Sequence, residues 1–254
     1  MLTGFSSLID WSQRGAELAR DGRVSIENAL VEELAQSLLT SLSVNEVWNL
    51  QFTDSGRDFD LDQAITAAMH PHIALALGKR VAHYPPDGFQ YCFDSCRISD
   101  LVDAGKACLQ PFESFYAFLN SQATLETFRE LTHDHEINYI DVQATRYRAG
   151  HFLTVHDDDA AGKHRRFAFA MNLTPAWRAD WGGLLQFLDA DGHVARGLRP
   201  SWNALNIFKV PQLHAVSMVT PSCFGARFSL TGWMRALPEN SPRRVQFKND
   251  GVCT

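Results

Sequence analysis

The 254-residue chain contains no run of about eighteen apolar residues, the length a helix needs to cross a bilayer. Its opening stretch, Met1 to Asp10, lacks the basic cluster and apolar core that direct secretion. Cysteine is scarce and unpaired: Cys92, Cys96, Cys108, Cys223 and Cys253 form an odd set without a Cys-x-x-Cys, so a disulfide framework is excluded. Cys92 and Cys96 have a loose zinc-like spacing but no second pair, and read as free thiols of a reducing compartment. Surplus positive charge is missing too, since 23 Lys and Arg against 29 Asp and Glu give a formal net charge of -6. A surface built for phosphate backbones would be basic. No phosphate-cradling glycine loop, dinucleotide fingerprint or Gly-x-Ser-x-Gly elbow occurs. These absences lead to the expectation of a cytoplasmic protein with no membrane association and no direct nucleic-acid partner.

What is present is globular. The chain is 45% hydrophobic and 11% aromatic, and a chain of this length buries about three-quarters of its unfolded surface. The first half reads as helical. Leu8, Trp11, Ala16 and Leu18 suggest a short amphipathic start, and Ile26 to Leu42 carries one apolar stripe with Ser25 as its N-cap. Asp60 with Gln63 resembles a capping box for a third helix to about Leu77, with Gly78 as the stop. Pro111 to Leu119 and Thr124 to Leu131 give two more helices, whose aromatic faces should pack on a sheet.

From Ile137 the period changes to short runs of branched and aromatic residues separated by turn signals. Strands are expected over Ile137 to Tyr147, Arg165 to Leu173, Gly183 to Leu188, Asn203 to Phe208, His214 to Met218 and Ala226 to Met234. Asp189-Ala-Asp-Gly192 reads as a hairpin turn and Gly182-Gly183 as a turn leading into a strand. Such spacing indicates a sandwich or jelly roll.

The chemistry lies in this second half. His156 and Asp158 leave one strand end, and the distant His214 can supply a third corner. Two imidazoles and one carboxylate leaving three adjacent positions open are the signature of a non-haem Fe(II) oxygenase. The same donors bind Zn(II) or Ni(II) more tightly, so the argument for iron is the open face, not affinity. His133-Asp-His-Glu136 also offers four donors, but consecutive donors cannot converge on one ion, and the segment reads as a polar loop.

The ordered set Tyr147-x-x-Gly150, His156-Asp-Asp158, Arg165-Arg166, Asn172-Leu-Thr, Trp181-Gly-Gly-Leu-Leu-Gln-Phe187, Asn206-Ile-Phe208, His214-x-Val and Arg227-x-Ser229-x-x-Gly-Trp233 resembles the 2-oxoglutarate/Fe(II)-dependent dioxygenases. Within them it is most similar to the prolyl 4-hydroxylase-like group, nearest to the ribosomal-protein and elongation-factor prolyl hydroxylases. The resemblance covers Ile137 to Arg235. It implies a mainly β, double-stranded β-helix fold with an N-terminal helical half packed on the major sheet. The chain then divides as one catalytic domain, 1–254, with helical support over 1–135, the β-helix over 136–236 and a tail over 237–254.

The resemblance further implies Fe(II) held by His156, Asp158 and His214, with 2-oxoglutarate and O2 as cosubstrates and ascorbate as an aid. Arg227 offers a guanidinium fork for the far carboxylate of 2-oxoglutarate, and Ser229, on the same strand face, can add a hydroxyl. Tyr147 and Asn172 should face the cosubstrate. Asn172 departs from the tyrosine many relatives carry, and Leu153 stands where collagen-type relatives have a tyrosine. Trp233 and one of Arg165 or Arg166, with Arg166 preferred, line the substrate mouth. The implied reaction is oxidative decarboxylation of 2-oxoglutarate to succinate and CO2 coupled to hydroxylation of an unactivated C–H, in a prolyl residue of a protein or peptide substrate. Two alternatives stay open: hydroxylation of a free amino acid or small natural-product intermediate, and a non-catalytic jelly-roll binding protein. A halogenase is excluded because Asp158 fills the position that halide requires.

Overall fold

The computed structural model describes residues 4–83, 88–241 and 243. Most of the tail beyond 237, with Cys253, lies outside the described residues. The upstream half contributes helices and strands alike. Helix α1 (Trp11–Asp21) starts where Asp10 accepts from the Gln13 amide and stops at Gly22, whose φ of 67 suits a residue without a side chain. The stripe from Ile26 to Leu42 does not form one helix. Val24 and Ile26 alternate inward in strand β1 (Arg23–Ile26), and α2 (Glu32–Val44) begins only after Val31, so Ser25 lies in a strand and caps nothing. Period-two burial against a sheet edge outweighs the helical spacing there.

Strands β2 (Asn49–Asp54) and β3 (Arg57–Leu61) form a hairpin, which places Asp60 in a strand. The cap of the next helix is Asp62, accepting from Ile65 at 2.8 Å. The expected third helix is two, α3 (Gln63–Ala68) and α4 (Pro71–Val81), because the residue before a proline disfavours helical backbone; Gly78 stays inside α4. Strand β4 (Tyr91–Cys96) and helices α5 (Ile98–Asp103), α6 (Gln110–Leu119) and α7 (Gln122–Thr132) complete this half.

The remaining strands are β5 (Tyr139–Ile140), β6 (Gln143–Tyr147), β7 (Phe152–His156), β8 (Arg165–Asn172), β9 (Leu185–Leu188), β10 (Val194–Leu198), β11 (Ala204–Lys209), β12 (His214–Val216) and β13 (Arg227–Arg235). Along the chain, β6 to β13 alternate between two antiparallel groups, ordered β11-β8-β13-β6 and β7-β12-β9-β10, save that β9 and β10 form a hairpin within the second. That alternation is a double-stranded β-helix. Strand β4 pairs with both β6 and β7 and so joins the groups, while β1 extends the β11 edge. Helices α2, α6 and α7 cover the larger group through a core in which Leu38, Phe112, Phe115 and Phe128 are at most 2% exposed. Each such side chain contributes about 1.5–3 kcal/mol by leaving water. No helix among the described residues is long and apolar enough to cross a membrane.

Gly232 on β13 is where the roll is tightest. A Cβ there would lie 1.9 Å from the Asp141 carbonyl oxygen and 2.8 Å from its carbon, and backbone cannot yield as a flexible side chain does. Gly232→Ala should destabilise the protein by about 3 kcal/mol or more, read from the urea unfolding midpoint. A change below about 0.5 kcal/mol would show that β13 and the Asp141 backbone are not in this close contact.

Candidate functional site

His156 ends β7, His214 begins β12, and the antiparallel register sets their Cα atoms directly opposite each other. Their rings are 4.1 Å apart between centroids. Asp158, two residues beyond the strand, turns back between them through a left-handed backbone with φ 64, which an aspartate tolerates better than most side chains. One of its oxygens lies 3.6 Å from His156 Nε2 and the other 3.5 Å from His214 Nε2. The three side chains form a group able to hold a metal ion, with ligand atoms within 4.8 Å of one another.

The donor chemistry suits a divalent cation. His156 Nδ1 lies 2.9 Å from the Thr154 carbonyl and His214 Nδ1 2.7 Å from that of Gln212. Each carbonyl can only accept, so the proton belongs on Nδ1 and the Nε2 lone pair is left for a metal. Burial, then the neighbouring His156 ring, pushes His214 down to about 4, so it is neutral, the ligating form, at physiological pH.

A cavity of about 780 Å³ reaches from this triad to Arg227, with Tyr147 and Trp233 also in its wall. Arg227 opens β13, is 3% exposed, and donates from Nη1 to the Gly183 carbonyl at 2.8 Å. Its Nε is buried without a partner, and no acidic side chain among the described residues pairs with it. Burial lowers its pKa, which measures how unfavourable the unpaired cation is. Tyr147 is its cross-strand partner, with the guanidinium 5.2 Å from the ring, and Tyr147 stacks in turn on Phe93. A carboxylate entering here would meet a preformed, desolvated cation.

The other expected residues divide. Ser229 and Asn172 are paired across β13 and β8, and the serine hydroxyl donates to the Asn172 side-chain oxygen at 3.0 Å. Both are buried and engaged with each other, and neither is among the residues forming the cavity wall. Arg166, the preferred mouth residue, is turned outward and tied to Asp134 at 2.7 Å and Glu136 at 2.6 Å. These acids belong to the polar loop over 133–136. Arg165 takes the inner place: it bonds Asp158 and stacks on Trp233. Strand alternation permits one of the adjacent pair to face inward, and a register shift beside Arg235 decides which.

Missed in the sequence was an aromatic wall of the cavity. Phe89, Tyr91 and Phe93 line the cavity, with successive rings 5.5 and 5.6 Å apart, and Phe89 lies 5.4 Å from the His156 ring. The signal was available, since the Phe89-x-Tyr91-x-Phe93 alternation is that of a strand with one inner face.

A jelly roll in which two histidines and an aspartate converge, with a buried arginine lacking a counter-charge along the same cavity, could hold a metal beside an anion. Residues 142–235, which span the whole eight-stranded roll, match the family model of the 2OG-Fe(II) oxygenase superfamily. The roll is thus similar to those of the 2OG-Fe(II) oxygenases, a family whose name implies dependence on Fe(II) and 2-oxoglutarate. The chain is 36% identical over 129 residues to the prolyl 3-hydroxylase OGFOD1 of Mus musculus; the match covers 48% of this chain and 22% of the mouse protein. This chain thus spans under a quarter of that relative. In fold it is similar to a Pseudomonas putida prolyl-4-hydroxylase, with a TM-score of 0.57 at 16% identity over 90% of this chain and all of that one. A Trichoplax adhaerens prolyl hydroxylase, solved with a hypoxia inducible factor peptide fragment, gives 0.54 at 14% identity over 96% and 93% of the two chains.

Buried imidazoles make metal-free stability depend on pH. His151, also pushed down to about 4 by burial, behaves like His214. Both are neutral above the ordinary histidine value of 6.5, so no stability is lost there; as pH falls from 6.5 toward 4 the unfolded chain takes up protons that the folded chain refuses. Urea unfolding of metal-free protein should therefore weaken across that window, by on the order of 3 kcal/mol for His151, and His151→Gln should remove that part of the slope. A midpoint unchanged between pH 6.5 and 4 would contradict the burial of these rings.

Proposed function

We infer that this chain is an Fe(II)- and 2-oxoglutarate-dependent dioxygenase that hydroxylates a C–H bond of a prolyl residue in a protein or peptide. The observation that carries the reading is the buried guanidinium of Arg227, with an unpartnered Nε and no acidic partner among the described residues, in the same cavity as the His156, Asp158 and His214 donors. A structural arginine would be paired or solvated, whereas this one lacks an anion. The dicarboxylate 2-oxoglutarate supplies one at Arg227 and leaves its keto acid end for the metal.

The bound metal and 2-oxoglutarate together would supply the oxidising chemistry, with O2 consumed, succinate and CO2 released and one oxygen atom delivered to the substrate C–H. The chain's own residues hold and shield. His156 and His214 present Nε2 lone pairs, fixed by the carbonyls of Thr154 and Gln212. Asp158 closes the third corner, and Arg227 fixes the cosubstrate. Tyr147, whose phenol burial pushes up and keeps protonated, remains a donor beside Arg227. Phe89, Tyr91 and Trp233 line the way in with apolar surface that excludes water and suits a pyrrolidine ring. The protein or peptide nature of the substrate is supported by the names of the relatives, and ascorbate as an aid by the family likeness alone. A reducing, cytoplasmic setting accords with the free cysteines 92, 96, 108 and 223.

Succinate release, measured with Fe(II) across proline-containing peptides and small-molecule panels, tests the reading. Arg227→Ala should raise the 2-oxoglutarate concentration required by about 100-fold, the loss expected for two charge-assisted hydrogen bonds. Asp158→Gly, which the left-handed backbone accepts, should abolish turnover while leaving the unfolding midpoint near that of the parent. Turnover that survives Asp158→Gly, or an unchanged 2-oxoglutarate requirement in Arg227→Ala, would refute the assignment. Turnover only with small molecules would overturn the prolyl substrate.

A further inference from the structure

We propose that Arg165 is a positioning residue for the Asp158 carboxylate, clamped in place by the indole of Trp233; the proposal rests on the metal-site reading above. The two histidines of the triad are oriented by backbone carbonyls of their own strands. Asp158 has no such support: it lies past the end of β7, at positive φ, in the loop that leads to β8. Among the described residues, Arg165 is the side chain that hydrogen-bonds it. Its Nη1 donates to the Asp158 carbonyl at 3.1 Å and to the carboxylate Oδ1 at 3.4 Å, so one group fixes both the backbone turn and the side chain it presents.

Arg165 is itself immobilised. The guanidinium carbon is 3.6 Å from the centre of the Trp233 ring, and the side chain is 18% exposed. Trp233 is anchored by its backbone amide, which donates to Asp141 Oδ1 at 2.8 Å. Asp141 Oδ2 accepts from Arg235 Nη1 at 3.0 Å, and Arg235 Nε donates to the Lys163 carbonyl at 2.7 Å, back in the loop that carries Asp158. The contacts form a closed circuit from the loop to the sheet and back. Its geometry calls for arginine: a planar guanidinium lays one face on an indole while its edge bonds two oxygens, which a lysine ammonium cannot do. Arg166, one residue on, is bound outside to Asp134 and Glu136 and provides a matched control.

The test is Mn(II) affinity, titrated by the loss of the free-ion EPR signal, with the unfolding midpoint of each metal-free variant measured alongside. Arg165→Gln should bind Mn(II) about ten- to a hundred-fold more weakly than the parent, the range for removing an outer support of a metal ligand. Arg165→Lys should be weakened nearly as much, because it keeps the charge and loses the planar face that stacks on Trp233. Trp233→Leu, which retains Arg165 but removes its clamp, should weaken binding about three- to five-fold, and it carries the test if the Arg165 variants do not fold. Arg166→Gln should bind as the parent does. Parent-like affinity in Arg165→Gln or Arg165→Lys, or an equal loss in Arg166→Gln, overturns the proposal while the metal site stands. A parent protein that binds no Mn(II) removes the site reading and the proposal together.

Discussion

The pairing of β7 with β12 is the constraint on which the site depends. His156 and His214 meet because they are opposite residues of that ladder, and side chains on a strand alternate between faces. A slip of one residue would turn one imidazole away from the other and leave Asp158 with a single partner. The register is held from both sides, since β12 also pairs with β9, where Phe187 lies across from His214. Phe208 packs edge-on against the same imidazole at 4.6 Å, so the ring has an aromatic floor as well as a hydrogen-bonded Nδ1.

Electrostatics then divides the cavity into two complementary ends. At one, the Asp158 carboxylate lies between the two imidazoles and Arg165. At the other, Arg227 is a buried cation with no counter-charge. Burying a charge without a counter-charge is unfavourable by several kcal/mol, only part of which the bond to the Gly183 carbonyl offsets. On the proposed reading, that counter-charge is the far carboxylate of 2-oxoglutarate, whose other end reaches the triad. Tyr147, between the two, stays an uncharged donor because burial opposes its ionisation.

Much of this was legible in the sequence. The triad, Arg227 and the roll follow from ordered motifs and from period-two runs between Ile137 and Arg235, where local pattern and tertiary fold agree. The upstream half was harder because its elements are short and their apolar residues satisfy two periods at once. Val24 and Ile26 fit a helical stripe and an alternating strand equally, and only the β11 edge decides between them. Asp60 and Gln63 imitate a capping box although Asp60 sits in a hairpin. Arg165 and Arg166 could not be separated by motif, because the choice between neighbouring residues is made by a register shift in β13. The mutual engagement of Ser229 and Asn172 likewise depends on which strands become neighbours, which no local spacing records.

The convergence of three side chains and a guanidinium on one small volume is tested most directly by an anaerobic crystal structure with Fe(II) and N-oxalylglycine, an inert analogue of 2-oxoglutarate. The account predicts one ion bonded to His156 Nε2, His214 Nε2 and an Asp158 oxygen, with the far carboxylate of the analogue in bidentate contact with Arg227. An ion bound elsewhere, or an analogue whose far carboxylate lies away from Arg227, would contradict it.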